Sequence, residues 1–106
     1  MPRYLWQVRY TPEGARGLLA QGGSARRAAI TEMVESVGGR VESCYFAFGE
    51  QDLIVIGEVP NEVAAAALSV QTAASGGAVS RTTCLLTPEQ LDDAAKVAVD
   101  YQPPEA

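Results

Sequence analysis

Gly49-Glu50-Gln51-Asp52 puts two carboxylates and a carboxamide directly ahead of the apolar run Leu53-Ile54-Val55-Ile56. A carboxylate at such a place can act as a general base, provided burial lifts its pKa toward neutrality. The same residues also suit a plain hairpin. Gly49 permits a positive φ, Glu50 and Gln51 keep the tip wet, and Asp52 can accept from backbone N–H groups two residues on. A wet tip does not raise a carboxylate pKa. The expected role of the turn is therefore structural, with Glu50 or Asp52 as a general base the alternative.

A second set of residues could bind an anion. Gln7, Arg9, Arg81 and Thr83 are polar residues inside apolar, strand-like segments. If the first and last strands are neighbours, alternation can bring the four together. Two guanidinium groups in a closed cavity would suit a carboxylate or another anion. The plainer reading has Arg9 and Arg81 facing solvent or pairing with acids across an interface.

The chain has no histidine. That excludes Ser-His and Cys-His triads, His-ligated haem, and the common zinc and non-haem iron sites. Cys44 and Cys84 form no CxxC pair and no metal spacing. Neither a metal site nor a resident cofactor is expected. Any chemistry must use carboxylates, Arg, Lys, Tyr, Cys or a cofactor brought in from outside. Cys44 has no histidine to lower its pKa and reads as a buried structural thiol. Tyr4, Trp6, Tyr45 and Phe46 could line a site for a planar ligand, but ordinary core is the expectation, as it is for Met33.

The 106 residues carry a net charge of −5 with eight Lys+Arg. Such a chain has no obvious way to neutralise a row of phosphates, so no nucleic-acid partner is expected. Arg16, Arg26 and Arg27 read as a solvated helix face. No stretch reaches the ~18–20 apolar residues of a membrane span, and MPRYLWQVRY lacks a signal-peptide core. A cytoplasmic protein with no membrane partner is expected.

The elements that must position these residues can be read from periodicity. Arg3 to Tyr10 alternates, with Tyr4, Trp6, Val8 and Tyr10 on one face and Arg3, Leu5, Gln7 and Arg9 on the other. Thr11-Pro12-Glu13 starts a helix: a cap, a first-turn proline and an acid at the positive end of the dipole. Gln21 to Ser24 interrupts it, and Ser24 can cap a second helix from about Ala25 to Val37, whose stripe is Ala29, Ile30, Met33, Val34 and Val37. Gly38-Gly39 stops that helix.

Arg40 to Phe48 is a second strand, residues 49–51 a turn, and Asp52 to Val59 a third strand. Its centre is apolar enough to be covered on both sides. Asn61 caps an Ala-rich helix to Ala74, small-sided enough to lie close on a sheet. Ala78 to Leu86 is the fourth strand. Thr87-Pro88-Glu89 repeats the helix-start chemistry for a last helix to about Val99, and Gln102 to Ala106 is a frayed tail.

The element order is β-α-β-β-α-β plus a terminal helix. This is the ferredoxin-like α+β plan: a four-stranded antiparallel sheet in the order 4-1-3-2 with helices on one face. The expected division is a single domain over residues 1–100 and a flexible tail over 101–106. Cys44 and Cys84 then lie on opposite edge strands, about 14 Å apart, too far for a disulfide within one chain. The helices cover one sheet face only, yet the strands are apolar on both. A second copy of the chain is the simplest cover, giving a homodimer or a higher oligomer.

Residues 47–60, AFGEQDLIVIGEVP, resemble the GYD-domain family. Tyr10-Thr11-Pro12-Glu13-Gly14 before them and Thr82-Thr83-Cys84-Leu85-Leu86-Thr87 after them extend the likeness over roughly residues 3–95. The family's Gly-x-Tyr-Asp-like motif falls on Gly49-Glu50-Gln51-Asp52, with Gln51 standing where the family has tyrosine. The resemblance implies the dimeric α+β barrel superfamily, in which two ferredoxin-like sheets face each other, and no established activity. Two functions follow as expectations. One is a small-molecule-binding or regulatory module for a small organic or anionic ligand. The other, by fold analogy alone, is a cofactor-free enzyme of the monooxygenase or isomerase type acting in the barrel cavity. An interaction subunit that binds another protein is a third.

Overall fold

The alternation of Arg3 to Tyr10 produces a strand whose even residues Tyr4, Trp6 and Val8 are buried. The computed structural model describes residues 1–105. Its elements are β1 (Arg3–Tyr10), α1 (Pro12–Gln21), α2 (Gly23–Ser36), β2 (Arg40–Phe46), β3 (Leu53–Glu58), α3 (Glu62–Ala74), β4 (Ala78–Leu85) and α4 (Pro88–Ala95). The strands form one antiparallel sheet in the order β2-β3-β1-β4. This is the expected ferredoxin-like order, with β3 inside the sheet as its apolarity required. No helix among the described residues is long and apolar enough to cross a membrane.

The core lies between the sheet and α2 and α3. Tyr4, Trp6 and Val8 of β1 meet Leu53 and Val55 of β3, Ile30 and Val34 of α2, and Ala65 and Leu68 of α3. Among the described residues no polar or charged side chain is buried there. Burial of a Leu or Val side chain stabilises by about 1.5–3 kcal/mol, so this apolar layer dominates the stability.

The caps at Thr11, Asn61 and Thr87 form as read. Each side chain accepts from the backbone N–H three residues on, and Thr87 and Gln90 complete a capping box. Thr11 does more, because its hydroxyl also donates to the Gly76 carbonyl at 2.8 Å while its N–H reaches the Gly77 carbonyl at 3.0 Å. Gly14, one turn along α1, sits so close to this strand entry that a Cβ would lie 1.9 Å from the Gly77 oxygen.

Three boundaries differ from the sequence expectation by two residues or more. Ser24 is not a cap: α2 starts at Gly23, its N-cap is Gly22, and no side chain caps it. Gly22, at φ 87°, joins α1 to α2 as a one-residue corner; its N–H donates to Leu18 O and its carbonyl accepts from Arg26 N–H. Glycine takes that φ without strain, so no longer linker is needed. Second, β2 ends at Phe46 rather than Phe48, because the ladder closes at the Phe46–Leu53 pair.

Third, α4 ends at Ala95 rather than Val99. The β-branched Val97 and Val99 that follow are poor helix formers, and no packing compensates them. Leu91 of α4 is 61% exposed, and no residue of the helix is buried. Residues 98–105 carry no regular helix or strand; Ala106, at the end of the expected tail, lies outside the described residues.

Candidate functional site

The turn at Gly49–Asp52 is the first candidate. It belongs to a connection closed by Ala47 N–H donating to Asp52 O at 2.9 Å. Gly49 does not take a positive φ; among the described residues Gly22, Gly38 and Gly76 do. The expectation of a mirror-image turn at Gly49 therefore fails, because the longer connection reverses the chain without one. The Asp52 side chain does not bond its own turn either. Its carboxylate accepts from Tyr10 N–H at 2.9 Å, and its N–H donates to Val8 O at 2.9 Å, so it ties the hairpin to the end of β1. Arg9 Nη1 donates to the Glu50 carbonyl. Glu50 is exposed and Gln51 half-buried. These contacts are those of a structural clasp.

The second candidate is the open sheet face. Gln7 lies directly across from Arg81, Leu5 from Thr83 and Arg9 from Val79. Gln7, Arg9, Arg81 and Thr83 therefore share the face opposite the core, as alternation implied. They are not enclosed within one chain, since Arg9, Arg81 and Thr83 are exposed and Arg9 is already engaged by Glu50. Leu5, Ile54, Ile56 and Leu85 on the same face are half-buried, while Tyr45 and Val79 are 71% and 62% exposed.

The far end of this face is ionic. Arg3 pairs with Glu42 at 2.7 Å and Glu58 at 3.1 Å, and Arg40 pairs with Glu58 at 2.9 Å. The hydrogen bond from Arg40 holds the Glu58 carboxyl below its usual range, against the opposing effect of burial.

The cysteines lie on opposite edges and are free. Burial pushes the Cys44 thiol up, and Arg27 only partly offsets it. A raised thiol pKa leaves less thiolate, which fits a structural Cys44 rather than a nucleophile.

The helix side holds a feature that sequence reasoning missed. A small cavity of about 40 Å³ lies between the sheet and α2 and α3, walled chiefly by Trp6, Ile30, Leu53, Val55 and Leu68. Arg26, Met33 and Thr72 line it and also line an adjoining cleft of about 320 Å³ beside α1, where Tyr10, Leu18 and Gln71 complete the wall. Three residues of these walls each carry a buried polar atom without a protein hydrogen-bond partner: Trp6 Nε1, Tyr10 Oη and Arg26 Nε. All three can donate. Neither wall contains an aspartate or glutamate. Arg26 thus belongs to a pocket rather than to the solvated face its sequence position implied. Trp6, 5% exposed, is core as expected but carries an unpaired N–H.

A model of the GYD domain matches residues 4–95. The chain belongs to the GYD-domain family. No curated protein and no solved structure matches it. In this GYD domain the motif turn carries Gln51 where the resemblance placed a tyrosine, and the motif acid, Asp52, serves the backbone of β1. Asp52→Ala is expected to cost about 1.5–3 kcal/mol, the worth of a hydrogen bond to a charged acceptor, read as a lower urea midpoint at unchanged slope. An unchanged midpoint would refute the clasp and revive Asp52 as a chemical group.

Proposed function

We propose that this GYD-domain protein is a small-molecule-binding module that works as a homodimer, with its open sheet face laid against that of a second copy. The observation that carries the binding reading is the helix-side cavity and its adjoining cleft, lined by three residues that each carry a buried, unpartnered donor. A buried donor without an acceptor costs about 1–3 kcal/mol. A ligand acceptor that these side chains turned to meet would remove that cost. The apolar centre of the open face supports the dimer, because Leu5, Ile54, Ile56 and Tyr45 lie on the side that no helix covers.

Native mass spectrometry of the protein as purified reads both halves of the proposal. A species of two 11.2 kDa chains is expected, and a clean monomer at micromolar concentration would sink the sheet-face dimer. Retained mass that disappears on denaturation would identify the ligand directly. Absence of retained mass, together with no thermal shift from a broad set of small metabolites, would overturn the binding reading.

A further inference from the structure

We infer that the helix-side cleft takes a small organic acid, its carboxylate held by Arg26 and its short apolar portion directed past Met33 toward Trp6. This inference rests on the binding reading above and assigns the class of ligand.

The charge pattern decides the class. The protein is acidic overall, with 13 Asp+Glu against eight Lys+Arg, yet the only charged residue in either wall is Arg26. Arg26 makes no ion pair among the described residues. An unpaired guanidinium whose Nε–H is buried is a demanding group, because its donors cannot be neutralised by deprotonation. A carboxylate is the planar acceptor that matches it, and charge-assisted bonds of this kind are about twice as strong as neutral ones. A cationic or purely apolar ligand would leave Arg26 unmatched.

The shape sets the size. The outer cleft, about 320 Å³, is at the small end of ligand pockets. The inner cavity, about 40 Å³, is apolar apart from Arg26, Thr72, Ser80 and the indole N–H of Trp6. It admits a short hydrocarbon end that packs against the Trp6 ring.

Trp6 is the only tryptophan, so its indole N–H gives a single reporter signal in a ¹H–¹⁵N spectrum, and Arg26 Nε–H gives a second. The full chain is titrated at neutral pH with hexanoate, 1-hexanol and hexylamine. Hexanoate is expected to shift both signals with a millimolar Kd, and hexanol and hexylamine to bind at least tenfold more weakly. Arg26→Gln should weaken hexanoate at least tenfold and leave hexanol unchanged. Arg26→Lys, which keeps the charge but loses the planar fork, should weaken hexanoate severalfold and serves if Arg26→Gln fails to fold. Equal binding of hexanoate and hexanol would overturn the acid assignment while the binding reading stands. No response of either signal to any of the three would overturn the cleft as a binding site, and the binding reading with it.

Discussion

Leu53→Ala is expected to lower the stability of the domain by about 2–5 kcal/mol. Leu53 is 2% exposed and opens β3, where it pairs with Val8 on one side and Phe46 on the other. Truncation loses the transfer free energy of the side chain and leaves space that the sheet cannot close, because β3 is held on both flanks. Domains of this size have a total stability of about 5–15 kcal/mol, so one substitution removes a large share. The same truncation enlarges the inner cavity, whose wall includes Leu53. Urea unfolding reads the loss at fixed protein concentration, a necessary control for a chain proposed to dimerise. A cost below about 1 kcal/mol would mean that the hairpin end of β3 is far more plastic than a close-packed core allows.

Two glycines of α1 are expected to respond in opposite directions to alanine. A Cβ at Gly14 would meet the Gly77 carbonyl at 1.9 Å. Relief requires α1 and the entry to β4 to separate, which strains the two bonds from Thr11 to Gly76 and Gly77. Overpacking costs about 1–3 kcal/mol, and each weakened hydrogen bond about 0.5–1.5 kcal/mol. The gain in helix propensity, about 1 kcal/mol, does not compensate. A net loss of about 2–3 kcal/mol is expected for Gly14→Ala. Gly17, three residues on, has nothing within 4 Å of a built Cβ, so Gly17→Ala is expected to stabilise by about 0.5–1 kcal/mol. Thermal unfolding of the two variants beside the parent separates the cases. Two changes of the same sign would contradict the close approach of α1 to β4.

The fold was legible because each element carried redundant local signals. Thr11-Pro12 and Thr87-Pro88 marked helix starts, Gly38-Gly39 marked a stop, and the two-sided apolarity of Leu53 to Ile56 placed β3 inside the sheet. The shared face of Gln7, Arg9, Arg81 and Thr83 followed from alternation and strand order together. What failed were features set by tertiary contact. The clasp from Asp52 to Tyr10 N–H joins residues 42 apart in sequence, and no local pattern announces it.

The helix-side pocket was illegible for a related reason. Arg26 sits beside Arg27 in a polar helical stretch, and only the cleft that α1, α2 and α3 line together sets one inward and leaves the other exposed. Two cues were present: a lone tryptophan within a core-facing strand, and an arginine one turn before Ile30. Neither reveals an unpaired donor until the walls are known.

The strand order also governs how the chain can be made. β1 is translated first, yet its two neighbours are β3 and β4. While a ribosome extends the chain, the first strand has no partner until residues 53–58 emerge and cannot be flanked on both sides until residues 78–85 follow. At about 5–20 residues per second the second wait, from residue 11 to residue 85, lasts roughly 4–15 s. During that interval Tyr4, Trp6 and Val8 are available to chaperones or to neighbouring nascent chains. The sheet is completed only once β4 has emerged, so a truncation before β4 yields an open β1 edge rather than a smaller version of the same domain.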